Sequence, residues 1–593
     1  MKMLTRVSAL SATIAVLSVA CSNTDVASEP AVAKTSAKAS KPNIVVVITD
    51  DQGYGDLGST GNRVLDTPHL DRLAAQSARL TSFYVSPVCA PTRASLMTGR
   101  YNYRTRVVDT WVGRAMMEPS EVTVAEALRA GGYKTGVFGK WHLGDCYPLR
   151  PDDQGFEETL VHRGGGLAQP SEPIENERRY TDPILFRNGK QVQTKGYCTD
   201  VYFDAALQFM EDSKRAGKPF FVYLPTNAPH GPFHDVPEEL LAKYEAQDLS
   251  SVLLGNKRTR ANVVRAFAMI ENVDQNIGKL TKKIKELEIK DDTIVVFLHD
   301  NGPNSRRYVG KMRGMKTEVH EGGIRSPLFV RWPKRLRPGI ASNLISAHID
   351  IMPTLLDAAG VPAPEGVKLD GISLLPLLER KKVQWPDRTI VIQTHRGDAP
   401  VRYHHFAART QEWKLVRPSG FGRQTPPDSV GFELYNIPND PTESRNLVRE
   451  KPHIFAKLKA EYDRWFDDVG STRKDNYAPP RIVIGNNRET RTPLTLQDWR
   501  RESGNGWGTN GHWLVNFEGD HSYRVTVNSK SPLNGNATLR VEKQVYKVGL
   551  APNTREFEIQ TVKPLAGDAK VSIEILDAQG KAQAPYHVIF DRQ

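Results

Sequence analysis

Short apolar runs alternate with helix-like segments from residue 42 to about residue 385. Residues 43–48 form a continuous apolar run, which is typical of a strand buried on both faces of a parallel sheet. Residues 123–130 and 263–287 instead repeat their apolar positions at helical spacing. Further strand-like runs span 134–138, 220–224, 294–298 and 328–331. This alternation predicts an α/β fold with a mostly parallel central sheet flanked by helices.

Two further regions follow along the chain. Residues 386–475 contain short strand-like runs and a helical segment with an aromatic face, 454–469, which predicts a small antiparallel sheet with a packed helix. The polar, proline-containing stretch 471–493 is expected to be a linker. Beyond it, residues 490–593 alternate in the manner of strands between turn residues, which is typical of a small β-sandwich. The individual runs are 390–393, 406–409, 413–416, 433–435, 523–527, 538–541, 557–559 and 571–575.

The first residues indicate export and are not expected to belong to the fold. Residues 1–20 have a basic start and an apolar core that is too short to span a bilayer as a stable helix. Cys21, directly after Ala20, is similar to a bacterial lipoprotein cleavage site, so we expect a lipidated Cys21. Cleavage after Ala20 with a soluble product is the alternative. Residues 21–41 then form a tether, and the protein is predicted to lie in the bacterial periplasm or on the outer membrane as a lipoprotein.

Composition narrows the class of protein further. The chain has 593 residues, 39% of them hydrophobic and 25% charged, which excludes a disordered or low-complexity chain and predicts two to four compact units. Four cysteines exclude a disulfide-framed miniprotein. The net charge of +12 suits nucleic acid, an anionic surface or an acidic polymer as partner, and equally a merely basic soluble enzyme. No block of lysine and arginine stands out, which argues against nucleic acid.

Polar side chains follow four of the predicted strands. They are Asp50 with Asp51, Lys140 with His142, His230, and Asp300 with Asn301. Sites in open α/β sheets gather beyond the carboxyl ends of strands, so these side chains are candidates for one common site. Three carboxylates and an amide oxygen form an all-oxygen set that suits calcium or magnesium. Taken alone, each acidic pair is also typical of a helix cap or a turn.

Residues 89–100 combine a cysteine and an arginine at the start of a predicted helix. Pro91 fits the first turn of that helix and Gly99 fits its end. Cys89 would then lie at the helix N-terminus, where the dipole and the free N–H groups favour an anion. Arg93 lies one turn further along. On composition alone, a buried structural cysteine is the alternative.

This segment resembles the signature of the type I sulfatases, the formylglycine-dependent, arylsulfatase-like family of the alkaline phosphatase superfamily. Other segments are similar to that family's motifs and occur in its order; they are 49–56, 139–144, 227–230, 300–302, and Lys316 with 321–325. The resemblance covers about 42–470. It implies a sulfatase catalytic domain over 42–385 and a C-terminal subdomain over 386–475, and residues 490–593 remain an accessory domain of open role.

The resemblance also implies a modified nucleophile and a metal. In the family, a maturation enzyme oxidises the signature cysteine to Cα-formylglycine, which here would be Cys89. One hydroxyl of the hydrated aldehyde attacks the sulfur of a sulfate ester, and the second hydroxyl then expels sulfate and restores the aldehyde. Calcium is the implied metal, and its ligands would be Asp50, Asp51, Asp300 and Asn301 together with the modified Cys89.

Basic residues take the remaining roles that the resemblance implies. Arg93 and Lys140 would hold the formylglycine hydroxyls. Lys316 and His230 would contact the sulfate group and the bridging oxygen, where one of them assists the leaving alcohol. His142 would be the base for the elimination step. A pocket rich in cations stabilises the charge that develops during sulfonyl transfer.

Four other residues carry weaker signals. His395 and Arg396 follow a predicted strand, and we expect them to line the leaving-group side of the pocket; a surface loop is the alternative. Cys146 and Cys198 would pair in an oxidising periplasm or remain two free thiols. Neither question is decided by the sequence.

The leading hypothesis is an exported or lipid-anchored sulfatase that hydrolyses sulfate esters of a sulfated carbohydrate, as in polysaccharide degradation. Its partners would be that substrate, a formylglycine-generating enzyme, and the membrane through the lipid anchor alone. A formylglycine-dependent phosphonate or phosphodiester hydrolase of the same superfamily is one alternative. A catalytically inactive glycan-binding protein is the other, and it would apply if Cys89 is never oxidised.

Overall fold

The computed structural model describes residues 41–593 except 168, 178, 255–256, 476 and 503–506. The predicted signal, Cys21 and the tether up to residue 40 lie outside the described residues. In the described part of the chain, none of the helices has the length and apolar character needed to cross a bilayer.

An eleven-stranded central sheet confirms the predicted α/β core. Its strands are β1 (Asn43–Thr49), β2 (Ala78–Tyr84), β3 (Lys134–Lys140), β4 (Glu158–His162), β5 (Ile184–Arg187), β6 (Lys190–Gln193), β7 (Phe220–Pro225), β8 (Thr293–His299), β9 (Arg325–Arg331), β10 (Gly339–Ser342) and β11 (Ser346–Ala347). Their order is β10-β2-β9-β8-β1-β7-β3-β4-β5-β6, with β11 beside β2. Neighbours from β8 to β4 are parallel, whereas β9 runs antiparallel to both β8 and β2.

Helices cover both faces of this sheet. The α-helices among the described residues are α1 (Pro68–Ala75), α2 (Cys89–Thr98), α3 (Val124–Ala130), α4 (Cys198–Arg215), α5 (Glu238–Glu245), α6 (Lys257–Glu286), α7 (Glu321–Ile324), α8 (Ile351–Ala359), α9 (Leu375–Leu378) and α10 (Pro452–Gly470). Ile44 and Val46 of β1 join the core formed with α2, α3 and α8. Val45 and Val47, which point the other way because side chains alternate along a strand, join the core formed with α1, α4 and α6.

The second region has the predicted antiparallel sheet. Its four strands, in spatial order, are β12 (Ile390–Gln393), β13 (Phe406–Arg409), β14 (Trp413–Arg417) and β15 (Glu433–Asn436). The aromatic face of α10 packs on this sheet, where the Tyr462 ring lies 4.1 Å from that of Phe406. The fold class predicted for this region is therefore confirmed.

The C-terminal region is rich in strands, as predicted, but it is organised as one nine-stranded sheet. The strands are β16 (Ile482–Ile484), β17 (Arg491–Thr495), β18 (Arg500–Arg501), β19 (Gly511–Phe517), β20 (Tyr523–Val541), β21 (Gln544–Val562), β22 (Gly567–Leu576), β23 (Ala582–Gln583) and β24 (His587–Arg592). The long strand β20 pairs with β24 along 523–528 and with β22 along 536–541, so it connects these two strands within one sheet. The stretch 471–493 is not only a linker, because β16 and the start of β17 lie within it.

This third sheet, β16–β24, packs against the region of the central sheet. Leu149 and Cys146 belong to the same buried apolar cluster as Trp513 and Val515 of β19. The cluster leaves Cys146 in contact with the carbonyl of Pro493, whereas Cys198 lies 3.1 Å from the side-chain oxygen of Asn227. Both cysteines are free thiols, so the disulfide considered from the sequence does not form.

Candidate active site

Four neighbouring parallel strands end at one place. In spatial order they are β8, β1, β7 and β3, and their carboxyl ends lie on the same edge because the strands are parallel. The residues that follow or end them are Asp300 and Asn301, Asp50 and Asp51, His230, and Lys140 with His142. Chain topology alone therefore brings together the polar side chains that the sequence indicated.

Two residues at these strand ends have left-handed backbone conformations. Asp51 has φ of 64° and His142 has φ of 62°. This region is uncommon for residues other than glycine, although aspartate and histidine tolerate it better than most. Such conformations persist where the surroundings enforce them, and they cluster at functional sites.

Cys89 lies at the N-terminus of α2, as predicted. Val88 is extended, α2 begins at Cys89, and Gly99 ends the helix with φ of 66°. The Cys89 sulfur, an Asp50 oxygen and an Asp300 oxygen lie within 4.8 Å of one another. Burial raises the pKa of the Cys89 thiol, so the unmodified cysteine is a protonated, weak nucleophile.

Two cationic side chains, Arg93 and Lys140, join this group. Both are fully buried. The guanidinium of Arg93 donates to Oδ2 of Asp300 at 2.8 Å and to the carbonyl of Lys140 at 3.2 Å. The ammonium of Lys140 donates to Oδ2 of Asp50 at 2.6 Å. Each buried cation therefore has a carboxylate partner, as burial requires.

Lys316 and His230 lie on the open side of the group. The ammonium of Lys316 is 2.6 Å from Oδ1 of Asp51, and Nε2 of His230 is 3.7 Å from Oδ2 of the same residue. Their side chains are 16% and 19% exposed, whereas that of Asp51 is 1% exposed. A ligand entering from solvent would thus meet Lys316 and His230 first.

The surrounding charges lower the pKa of two of the three carboxyl groups and leave that of the third raised. Burial alone would raise the pKa of Asp50, but Lys140, His230, Arg93 and Lys316 together hold it below its usual range. At Asp51, burial acts to raise the pKa, whereas Lys316 and His230 act to lower it. The pKa of Asp51 is lowered as a result. Burial and the neighbouring Asp50 carboxylate raise the pKa of Asp300 to about 7. Asp300 is therefore the one of these three carboxyl groups that holds its proton most strongly.

The same cluster fits a hard divalent cation. Oδ1 of Asp50 and Oδ1 of Asn301 are buried and accept no hydrogen bond from any residue that the structure describes. Unsatisfied buried oxygens are costly, and a cation would satisfy them. Together with Asp51 and Asp300 they make the carboxylate and amide oxygen set that calcium and magnesium prefer.

His142 is buried as a neutral ring with one nitrogen available. Its Nε2 lies 2.9 Å from the carbonyl oxygen of Thr110, so Nε2 carries the proton and donates. Its Nδ1 is buried and without a partner among the described residues. Burial and the nearby Lys140 lower the pKa of His142 well below its usual value. Gly165 packs closely, since a Cβ there would lie 2.9 Å from Cε1 of His142.

The two substrate-binding candidates of the second region, His395 and Arg396, have different contacts. His395 uses both ring nitrogens internally, with the carbonyl of Arg396 at 2.7 Å and the amide of Val401 at 3.0 Å. It therefore holds its own loop, which differs from the expected substrate contact. Arg396 donates to Oγ1 of Thr110 at 3.0 Å, the same residue whose carbonyl contacts His142.

Sequence reasoning missed several side chains that support the site. Thr92 donates to the carbonyl of Asp300 at 2.7 Å, and Asn304 donates to Oδ2 of Asp51 at 3.0 Å. Gln497, more than three hundred positions away in sequence, donates to the Thr110 carbonyl at 2.8 Å. Thr92 lies within the segment 89–100 and Asn304 lies two residues after 300–302, so proximity to these segments was a usable signal for both. Nothing in the sequence pattern connects Gln497 to the site.

Comparison with protein families identifies two matching models. Residues 42–361 match the model described as Sulfatase. Residues 315–466 match the model described as N-sulphoglucosamine sulphohydrolase, C-terminal. Together these matches span the first two sheets and stop short of β16–β24.

Individual proteins agree with these models. N-acetylgalactosamine-6-sulfatase of Canis lupus familiaris is 31% identical over 411 residues, which are 63% of this chain and 74% of that relative. Arylsulfatase A of Homo sapiens is 34% identical over 373 residues, 59% of this chain and 70% of that relative. The solved structure of Ps i-CgsB in complex with k-i-k-neocarrahexaose has a TM-score of 0.63 and 26% identity, covering 74% of this chain and 95% of that chain.

Proposed function

Since this chain belongs to the sulfatase family and is a sulfuric ester hydrolase, we propose that it hydrolyses sulfate esters of a sulfated carbohydrate. The proposed nucleophile is a formylglycine made from Cys89 by a separate maturation enzyme. The proposed metal is one calcium ion. Residues 42–385 would form the catalytic domain and 386–475 its C-terminal subdomain, with 490–593 as an accessory domain.

One observation carries this proposal: the position of Cys89. It begins helix α2 and lies within 4.8 Å of carboxylate oxygens of Asp50 and Asp300. A purely structural cysteine gains nothing from such neighbours, because buried carboxylates are costly unless they serve a cation or a reacting group. A nucleophile at this position, in contrast, sits between a cation site and a helix N-terminus that both favour negative charge.

The metal would be held by oxygen atoms of Asp50, Asp51, Asp300 and Asn301. When bound, it supplies positive charge that polarises the sulfate group and favours the anionic form of the nucleophile. The four side chains come from the ends of β1 and β8, which are neighbours in the sheet. Their positions are thus tied closely to a rigid element, since each lies within two residues of a strand end.

Residue 89 supplies the attacking oxygen once it is a hydrated formylglycine, a group with two hydroxyls on one carbon. Arg93 and Lys140 would fix those hydroxyls. Their own positions are set by the pairs with Asp300 and Asp50, at 2.8 Å and 2.6 Å. A rotating nucleophile is thereby held in one orientation, which lowers the entropic part of the barrier.

His142 would take the proton that must leave residue 89 when sulfate is released. Its Nε2 donates to the carbonyl of Thr110, so the lone pair is on Nδ1. Because burial and Lys140 lower its pKa, the ring is neutral at physiological pH and accepts a proton. The contact with Thr110 fixes both the tautomer and the ring plane.

Lys316 and His230 would act on the alcohol that leaves. An alkoxide is a poor leaving group near neutral pH, so it needs a proton or a positive charge at the bridging oxygen. Both side chains lie at the open side of the site, where the sugar part of a sulfate ester would extend. Asp51 raises the pKa of Lys316 even though burial opposes it, so the ammonium form is maintained.

Three features support a carbohydrate as substrate. A relative carries the name N-acetylgalactosamine-6-sulfatase, and a similar structure was solved with neocarrahexaose. The net charge of +12 suits a polyanionic ligand. The predicted signal, Cys21 anchor and periplasmic or outer-membrane location would give the enzyme access to external polysaccharide.

Anion release by the matured enzyme tests the proposal. The protein is co-expressed with a formylglycine-generating enzyme and incubated with an aryl sulfate, sulfated oligosaccharides and a phosphodiester, and ion chromatography measures sulfate and phosphate. We expect the wild-type enzyme to release sulfate. Among the substrates tested, a sulfated oligosaccharide should have the highest kcat/KM. Phosphate released faster than sulfate would replace the proposal with a phosphodiester hydrolase. Sulfate release by Cys89→Ala would refute the proposed nucleophile.

A further inference from the structure

A second cavity lies where the third sheet meets the active-site region. It has a volume of about 420 Å³ and opens between β18, β19 and β22 on one side and the loop after β12 on the other. Residues 111–112, which directly follow Thr110, also line it. None of the strands β18, β19 and β22 falls within the matched family regions, which end at residue 466.

The lining of this cavity is strongly basic. Four cations, Arg396, Arg500, Arg501 and Lys570, line it together with a single carboxylate, Asp398. Asp398 pairs with the guanidinium of Arg500 and the buried Asp109 pairs with that of Arg396, so the four cations exceed these two carboxylates by two. The side chain of Lys570 is exposed, and no carboxylate of the described residues pairs with it. Clefts lined by one sign of charge concentrate ligands of the opposite sign.

Trp111 lines the cavity, and the ring of Trp507 packs against it. Their rings, Trp111 and Trp507, are 5.9 Å apart and nearly perpendicular, at 78°. The guanidinium of Arg396 lies 4.3 Å from the centre of the Trp111 ring. Trp507 is 40% exposed, which is unusual for so large an apolar side chain. Exposed aromatic rings offer a flat apolar surface for the C–H face of a sugar, and guanidinium groups bind sulfate oxygens with two parallel hydrogen bonds.

One short segment, residues 110–112, links the wall of the cavity to the active site. Arg396 donates to Oγ1 of Thr110, and the carbonyl of Thr110 contacts Nε2 of His142. Arg500 donates to the carbonyl of Val112 at 2.9 Å. A chain of sugars that places one sulfate ester at the Cys89 site therefore has a neighbouring basic surface along which to extend.

We propose that this cleft, formed by Trp111, Arg396, Arg500, Lys570 and Trp507, binds a second sulfated sugar of the same oligosaccharide. The proposal deepens the proposed function and rests on it. The substrate class is then an oligosaccharide that carries sulfate on at least two residues. The region of the third sheet supplies substrate selectivity, since Arg500 lies on β18, Lys570 on β22, and Trp507 in the loop between β18 and β19.

Binding to a turnover-blocked protein tests the cleft directly. Cys89→Ala protein is titrated by calorimetry with size-defined hexasaccharides from heparin, chondroitin sulfate and carrageenan, each paired with its desulfated counterpart. We expect at least one sulfated hexasaccharide to bind and its desulfated counterpart to bind much more weakly. Adding Lys570→Glu or Trp507→Ala should weaken that binding about tenfold. Both side chains are exposed, so neither change should unfold the protein.

Matched controls come from β21 and from the connection that follows it. Lys547→Glu reverses an exposed charge on β21 away from the cleft, and Leu565→Ala removes an apolar side chain that is 79% exposed. Both should leave the affinity within about twofold. Equal affinities in cleft and control variants, equal binding of desulfated sugar, or no binding of any sulfated hexasaccharide would each overturn the inference. Because this assay needs no turnover, its failure is distinct from a failure of wild type to release sulfate.

Discussion

The ammonium nitrogen of Lys140 lies 2.6 Å from Oδ2 of Asp50, and neither side chain is exposed to solvent. The pair joins the ends of β3 and β1, which are separated by one strand of the central sheet. Arg93 reaches the same carboxylate oxygen at 3.9 Å. A reactive centre that gathers three carboxyl groups is therefore held together by buried cations of the same chain.

Removing Lys140 should damage both stability and activity. Loss of one partner from a buried ion pair typically costs about 3–5 kcal/mol, because the remaining charge stays buried without compensation. We expect Lys140→Ala to lose stability on that scale in urea denaturation and to lower kcat/KM at least 100-fold. Lys134→Ala is the control, since Lys134 lies on the same strand with its side chain 43% exposed. Equal destabilisation by the two variants would contradict this account.

A bound calcium ion should stabilise the fold as well as support catalysis. Calcium that binds only the folded state adds about 2.7 kcal/mol when present at 100 times its Kd. We therefore expect chelator-treated protein to gain thermal stability as calcium is added. Asp300→Asn should abolish most of this gain, whereas Asp212→Asn, on the surface of α4, should retain it. A calcium-dependent shift that is the same in both variants would place the ion elsewhere.

Buried histidines should make the protein sensitive to acid. Burial lowers the pKa of His348 to about 3, whereas an unfolded histidine titrates near 6.5. Below pH 6.5 the unfolded chain binds a proton that the folded chain rejects, so stability is lost as pH falls from 6.5 toward 3. Each such histidine contributes about 1.4 kcal/mol per pH unit in that window.

His348→Gln isolates this contribution. The free energy of unfolding is measured in urea between pH 7 and pH 4 for wild type and variant. The free energy of unfolding of the variant should fall less steeply as the pH is lowered. The difference in slope should correspond to about one proton taken up on unfolding. His453→Gln, at an exposed position of α10, should keep the wild-type slope. Parallel curves for wild type and His348→Gln would show that His348 takes up a proton in the folded protein.

The third sheet should influence catalysis through Gln497. Its side-chain amide and Nε2 of His142 both donate to the carbonyl of Thr110, at 2.8 Å and 2.9 Å. Gln497→Ala should loosen this anchor and lower kcat for an aryl sulfate about tenfold, with a smaller effect on KM. Gln560→Ala, at an exposed position of β21, is the control. A change in KM alone would assign Gln497 to binding instead of to the support of His142.

The core and the strand ends were predictable because they follow from local pattern. Continuous apolar runs identified β1, β3, β7 and β8, and parallel strands must end on one edge. The motif residues Asp50, Lys140 and Asp300 were therefore expected to converge, and their side chains do lie together.

Features that depend on packing between distant segments could not be predicted. The stretch 471–493 has the polar, proline-containing composition of a linker, yet β16 and part of β17 form there because the rest of the sheet supplies their partners. His395 follows a strand just as Lys140 does, but its ring nitrogens are taken by its own loop. The contact between Gln497 and Thr110 spans two regions, and neither residue belongs to a motif.

The central claim is that sulfate ester hydrolysis depends on a formylglycine made from Cys89. Its most direct test is to prepare samples with different degrees of maturation by varying co-expression of a formylglycine-generating enzyme. Mass spectrometry measures the converted fraction of Cys89, and ion chromatography measures sulfate release per total protein. We predict that activity rises in proportion to the converted fraction, from zero in unconverted protein and in Cys89→Ala. Activity that is independent of conversion, or that persists in Cys89→Ala, would contradict the account.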